Sequence, residues 1–183
     1  FNLAQNLLMH ALTYRTDVLR DGGVPMPAHT FYVDNIYAYV PLPRCKTLYY
    51  LDVDLYRYFI GRDDQSVNEQ VMISRVDQLL RVNAAMVDAI PHPDNVPPKL
   101  YRYLVHYLRI NCVICTVMLL RSGTEENAAR KDELWAQLEA KKPEAYRTVR
   151  RDLLGRLITL RSKPGRAVIM SGYHISQWVL GFN

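Results

Sequence analysis

The chain has 183 residues, 49% of them hydrophobic, with a formal net charge of +5 and a pI near 9.1. That apolar content is enough for a real core and excludes a purely disordered polar chain. The longest apolar run, "INCVICTVMLL" around 110–120, falls short of the ~20 residues a bilayer crossing needs and has charged residues on both sides.

The chain opens at Phe1 with no initiator methionine and no leader pattern, which reads as a segment cut from a longer protein. In the first half, "LLMHALTY" over 7–14 predicts a buried strand, and "RTDVLRDGG" a short helix stopped by paired glycines. "TFYVDNIYAYVPLPR" over 30–44 sets Asp34 among three tyrosines and a phenylalanine. A solvated turn suits Asp34 and Asn35, but an aromatic wall around an acid is also a common setting for a catalytic carboxylate. "KTLYYLDVDLYRYFIG" over 46–61 is the strongest strand candidate, being β-branched and aromatic up to Gly61.

The second half shows helical spacing. Ser66 and Glu69 form a candidate capping box, and the apolar stripe that follows predicts one helix reaching Ile90. A long buried helix is predicted from about Pro98 to Leu120, stopped by "SG" at 122–123. "GTEENAARKDELWAQLEAKK" reads as an exposed amphipathic helix capped by Thr124, its charges complementing the helix dipole. A short helix follows from Pro143 through Arg151, and a last apolar element, interrupted by Gly172, packs back on the bundle. The fold class is thus α+β and predominantly helical: a small incomplete mixed portion over 1–65, then a helical C-terminal domain over 66–183. An incomplete sheet leaves an unpaired edge, which predicts a homodimer or edge pairing.

Several residue groups carry chemistry. Cys112 and Cys115 lie in an apolar run with no second C-x-x-C and no histidine cluster, so packed core thiols are favoured over a redox or zinc motif. Asp52 and Asp54 resemble a D-x-D metal motif, but their Leu and Val neighbours and the lack of a nearby glycine favour a solvent-facing edge. Arg57, Arg62, Gln65 and Ser66 gather at a turn and helix start, which suits either a bound phosphate or simple capping with Arg–Asp pairing. Nine lysines and arginines between 141 and 166 face only Glu144 and Asp152, a basic strip able to meet anionic lipid or to stand as a solvated helix face. Aromatic residues do not interleave with it, so nucleic acid is not expected as a partner.

"MHALTYRTDVLRDGG", "HTFYVDNIYAYVPLPRCKTLYYLDVDLYRYFIGRDDQSVNE" and "SGTEEN" together resemble the C-terminal half of bacterial family-two glycosyltransferases, inverting enzymes with a glycosyltransferase-A fold that build cell-surface glycans. The likeness is most specific over 9–81. It implies that Asp34, in "FYVDN", is the general base, although Val33 stands where the family often has another acid. It also implies that Arg62, Gln65 and Ser66 contact the donor diphosphate, and that His10, Tyr14 and Tyr32 line the acceptor side.

The resemblance implies further that the nucleotide-binding half, with the metal-binding acids, precedes Phe1. The fragment would hold no metal and be inactive alone. The full enzyme would use Mg or Mn, a nucleotide-sugar donor and a glycan or lipid-linked acceptor. A cytoplasmic location is expected, peripheral at the inner membrane face if the 141–166 strip touches lipid. The competing expectation is a helical interaction or membrane-docking module with a basic face and no catalysis of its own.

Overall fold

A computed structural model of the chain describes residues 6–24, 26–54, 56, 57, 59 and 68–180. The chain is predominantly helical, and no strand occurs among the described residues. The helices are α1 (Thr16–Arg20), α2 (Val33–Tyr39), α3 (Glu69–Ser74), α4 (Val76–Ala89), α5 (Pro98–Arg121), α6 (Glu125–Lys141), α7 (Pro143–Val149), α8 (Leu153–Ile158) and α9 (Lys163–Leu180). Pro98 begins α5 where its missing N–H costs nothing. Gly123, at φ 72, takes the left-handed turn that ends the helix, its amide bonding to Leu120 O at 3.2 Å.

α5 is the centre of the molecule, packing against α3, α4, α6, α7 and α9. By length and composition it could cross a membrane, but 67% of its apolar window is buried inside the protein. Tyr103, Leu104, Leu108, Cys112, Cys115 and Leu119 lie in the core with Leu79, Val82 and Met86 of α4 and Leu134, Trp135 and Leu138 of α6. Ile36, Ala38 and Tyr39 of α2 join the same core.

Most of the polar groups inside are partnered, but the buried Tyr39 hydroxyl has no hydrogen-bond partner among the described residues. Asn83 Nδ2 donates to Asn111 Oδ1 and to Cys112 Sγ, both at 3.2 Å. Burial pushes the Cys112 thiol up to about 12 and the Cys115 thiol well above its ordinary value, so both are inert core groups, as their apolar run predicts. Lys131 is fully buried, its ammonium donating to Leu160 O and, at 3.0 Å, to Asp132 Oδ1. Arg166 closes the cluster on Asp132 at 2.8 Å.

Both strand expectations fail among the described residues. Over 7–14 there is only a 3₁₀ turn at Met9–Ala11. Leu7 offers its amide and carbonyl to the hydroxyls of Tyr103 (2.8 Å) and Tyr107 (3.5 Å), where a strand would offer them to a neighbour. Residues 46–54 are irregular, with Leu48, Tyr49, Tyr50, Leu51 and Val53 exposed. Their composition suits a pleated surface, but such propensity needs a paired neighbour to act on. The unpaired sheet edge behind the expected homodimer therefore has no counterpart among the described residues.

The remaining differences are local. The helix expected from Ser66 to Ile90 is two helices broken at Arg75, whose φ of −115° and ψ of 22° leave the helical region; both pack on α5, and α4 meets α2 and α6 as well. Ser66 lies outside the described residues; the observed N-cap of α3 is Asn68, which accepts from the Gln70 amide at 3.0 Å. α9 runs through Gly172 without interruption, because burial of Ile169 and half-burial of Tyr173 on its inner face outweigh the ~1 kcal/mol cost of an internal glycine. α8, only six residues long, is too short to show a period.

Glu69, the other half of the capping box expected with Ser66, is engaged across the bundle. It accepts from Arg121 Nε at 2.9 Å and from Tyr173 Oη at 2.8 Å, tying α3 to α5 and α9. The Arg121 hydrogen bond, with lesser help from Tyr173, holds its carboxyl below the usual glutamate value. The stability this lends is therefore fully present above the ordinary glutamate pKa and is lost as pH falls through the lowered one. Glu69→Gln should cost about 1 kcal/mol at pH 7, and the cost should shrink as pH falls below the ordinary glutamate pKa, read as urea midpoints across an acid pH series.

Candidate active site

The site is built around the N-terminus of α2. The chain enters it through two non-glycine residues in left-handed conformation, His29 at φ 51 and Tyr32 at φ 67. Such residues persist only where the surroundings impose them. Here α4 and Arg75 just before it supply the constraint. Gln78 Oε1 accepts from the Phe31 amide at 2.7 Å, Arg81 donates to Thr30 Oγ1 at 3.0 Å, and the Arg75 guanidinium lies 3.7 Å over the Phe31 ring. Asn35 then binds the Tyr32 carbonyl through both its amide and its side chain, each at 3.1 Å, and α2 starts.

Asp34 stands in the first turn of α2 and is exposed at its rim. Partial desolvation by the surrounding protein raises its carboxyl above the usual value; the amides of Asp34 and Asn35 and the charge of nearby His10 work in the other direction. His10 is exposed and stacks on Tyr56, ring centroids 4.6 Å apart. Tyr32 is half-buried, and desolvation raises its phenol above the ordinary value, with the Asp34 charge a smaller contribution. Asp34 thus lies within electrostatic reach of both His10 and Tyr32. Tyr14 sits toward the other end of α2, its hydroxyl donating to Ala38 O at 3.2 Å and its ring edge-on to Tyr37 at 5.3 Å.

Sequence reasoning missed the floor of the site. Tyr107 of α5 is buried and donates to Asn35 Oδ1 at 3.2 Å; desolvation first, and Asp34 among lesser causes, hold its phenol far above the ordinary value. Tyr103 stacks edge-on to it at 6.1 Å. The signal was present in "YRYLVHY", where Tyr103 and Tyr107 stand four apart and so share one helix face. Arg75, which fixes the entry turn, had no comparable signal.

Arg62, Gln65 and Ser66 lie outside the described residues. Asp52 is exposed and accepts from its neighbour Tyr50 Oη at 3.1 Å. No group of three or more His, Cys, Asp or Glu that could hold a metal occurs among the described residues. Two shallow clefts of about 160 and 180 Å³ lie elsewhere, one by Pro91, His92, Lys142 and Glu144 and one between α4 and α6.

Much of the basic strip is engaged within the fold. Lys141 pairs with Asp88 at 2.8 Å, Arg147 with Glu144 at 2.6 Å, Arg161 with Glu139 at 3.0 Å, and Arg166 with both Glu125 and Asp132. Lys142 donates to the Ile90 carbonyl at 2.7 Å, closing the C-terminus of α4. Comparison with protein-family models, with curated proteins and with solved structures finds no match to this chain.

Proposed function

We propose that the chain is the acceptor-side part of an inverting glycosyltransferase that moves a sugar from a nucleotide-sugar donor to a cell-surface glycan or lipid-linked acceptor, with Asp34 as general base. The observation that carries this reading is the setting of Asp34. It is an accessible carboxylate at a helix start, raised in pKa by its surroundings, flanked by His10 and backed by tyrosines. A base must be reachable by the acceptor hydroxyl and gains from a pKa lifted toward the working pH; Asp34 is exposed, and desolvation raises its carboxyl in that direction.

The reaction follows from these roles. The acceptor O–H gives its proton to Asp34 while its oxygen attacks the anomeric carbon. The bond from that carbon to the donor diphosphate breaks on the opposite face, and the nucleoside diphosphate leaves with the bonding pair. Aromatic faces such as Tyr32 and Tyr56 offer sugar rings apolar contact beside the carboxylate. The reading assigns the departing diphosphate to Arg62, Gln65 and Ser66 by resemblance alone. The described residues do not fit a divalent metal, and no step above depends on one.

The test is the pH dependence of transfer in the enzyme that joins this chain to a donor-binding half. Asp34 acts as a base only when ionised, so kcat/KM should rise with pH through a pKa above the ordinary aspartate value. A limb at the ordinary carboxylate value, or none, would count against the assignment.

A further inference from the structure

In the α7–α8 turn of the basic strip, Arg150, Arg151 and Arg156 make no ion pair among the described residues. Arg150, Arg151, Leu153, Leu154 and Arg156 are all exposed, with 71% of Leu153 and 59% of Leu154 open to solvent. The turn holds them outward by construction. Asp152 caps α8 by accepting from the Gly155 amide at 2.7 Å, and its other oxygen accepts from Arg109 of α5 at 2.7 Å. Arg156 Nε donates to the Arg150 carbonyl at 3.3 Å. Position 155 admits only glycine, since a Cβ there would lie 1.7 Å from Val149 O. The sole carboxylate of the stretch is thus paired with a residue outside it, and three exposed arginines flank two exposed leucines along the chain, the Arg150 guanidinium 5.5 Å over the Tyr146 ring.

We infer that the α7–α8 turn docks the protein on an anionic lipid surface, Leu153 and Leu154 entering the boundary between headgroups and acyl chains while Arg150, Arg151 and Arg156 meet lipid phosphates. Charge complementarity selects this occupant. Each basic residue near an anionic leaflet strengthens attachment roughly fivefold, so three supply roughly 100-fold, and inserted apolar side chains add to it. Neither contribution suffices alone, which is why the juxtaposition of both on one rigid turn matters. The inference does not depend on the catalytic reading of Asp34.

The experiment is vesicle sedimentation with the full chain, using phosphatidylcholine alone and phosphatidylcholine with about a third phosphatidylserine. The partition coefficient on the anionic vesicles should exceed that on neutral ones by at least roughly tenfold, and binding should be released near 1 M salt, where the screening length is ~3 Å. Leu153→Ser/Leu154→Ser, and separately Arg150→Gln/Arg151→Gln/Arg156→Gln, should each weaken partition by roughly tenfold or more with melting temperature unchanged. Equal binding to both vesicle types, binding to neither, or a double-serine variant that binds like the parent would each overturn the inference. So would binding to heparin that survives the double-serine change while vesicle binding is nil, since that outcome assigns the arginines to a soluble polyanion. The lipid and salt dependence of the unaltered protein decides the question even if a variant folds poorly.

Discussion

Asp34→Asn should reduce sugar transfer by ~10² to 10⁴ while leaving the fold and donor binding nearly intact. The amide keeps the size and the hydrogen-bonding oxygen of the carboxylate but cannot take the acceptor proton. Two opposing effects keep the stability change small. Asparagine removes a charge that its surroundings disfavour, as the raised carboxyl shows, and also removes a negative charge from the positive end of α2. The net change should stay within about 1 kcal/mol. Turnover, thermal stability and donor affinity measured on both proteins decide the matter. Near-normal turnover would remove Asp34 from the chemistry, because Asp and Asn serve turns and caps about equally. The acidic limb of the pH profile should vanish in the same variant.

Trp135→Ala should be the most damaging single change to stability, at about 3–5 kcal/mol. The indole is fully buried between α6 and α5, and its Nε1–H donates to Thr116 Oγ1 at 3.0 Å. Truncation leaves a cavity the size of two rings and an unpartnered hydroxyl, on a domain whose whole stability is on the order of 5–15 kcal/mol. Trp135→Phe separates the two effects, filling most of the space while still orphaning Thr116. Adding Thr116→Val to it should recover part of the loss, because neither side then wants a hydrogen bond. Denaturant midpoints at constant m-value give the result, and a cost below about 1 kcal/mol for alanine would mean that the α5–α6 seam collapses to fill the void.

What the sequence made legible was the frame. Pro98, the "SG" pair and Thr124 mark the limits of α5 and the start of α6 because termini are set by local backbone chemistry. Asp34 was legible as a candidate by its aromatic company. Its partners were not: Tyr107 reaches Asn35 across 72 positions, and nothing local encodes that approach. The strand errors have the opposite origin. Residues 46–54 have strand-like side chains, yet propensity describes a fit to neighbours, and no neighbouring strand is described. The break at Arg75 escaped because the apolar stripe continues across it and α5 receives the helices on both sides.

The central position of α5 also imposes an order of assembly. α4, α5, α6 and α7 are successive in sequence and joined by short connections, so their mutual contacts close small loops and carry little entropic penalty. The contacts that seat the site span far longer intervals: 47 positions from Phe31 to Gln78 and 96 from Leu7 to Tyr103. They close last, onto a helical scaffold already standing, and they involve few hydrogen bonds. The same economy makes them the cheapest to reopen. The Met9–Ala11 turn, which buries no residue, can therefore breathe with His10 at a free energy well below that of global unfolding, whereas α2 stays seated by Ile36, Ala38 and Tyr39 in the core.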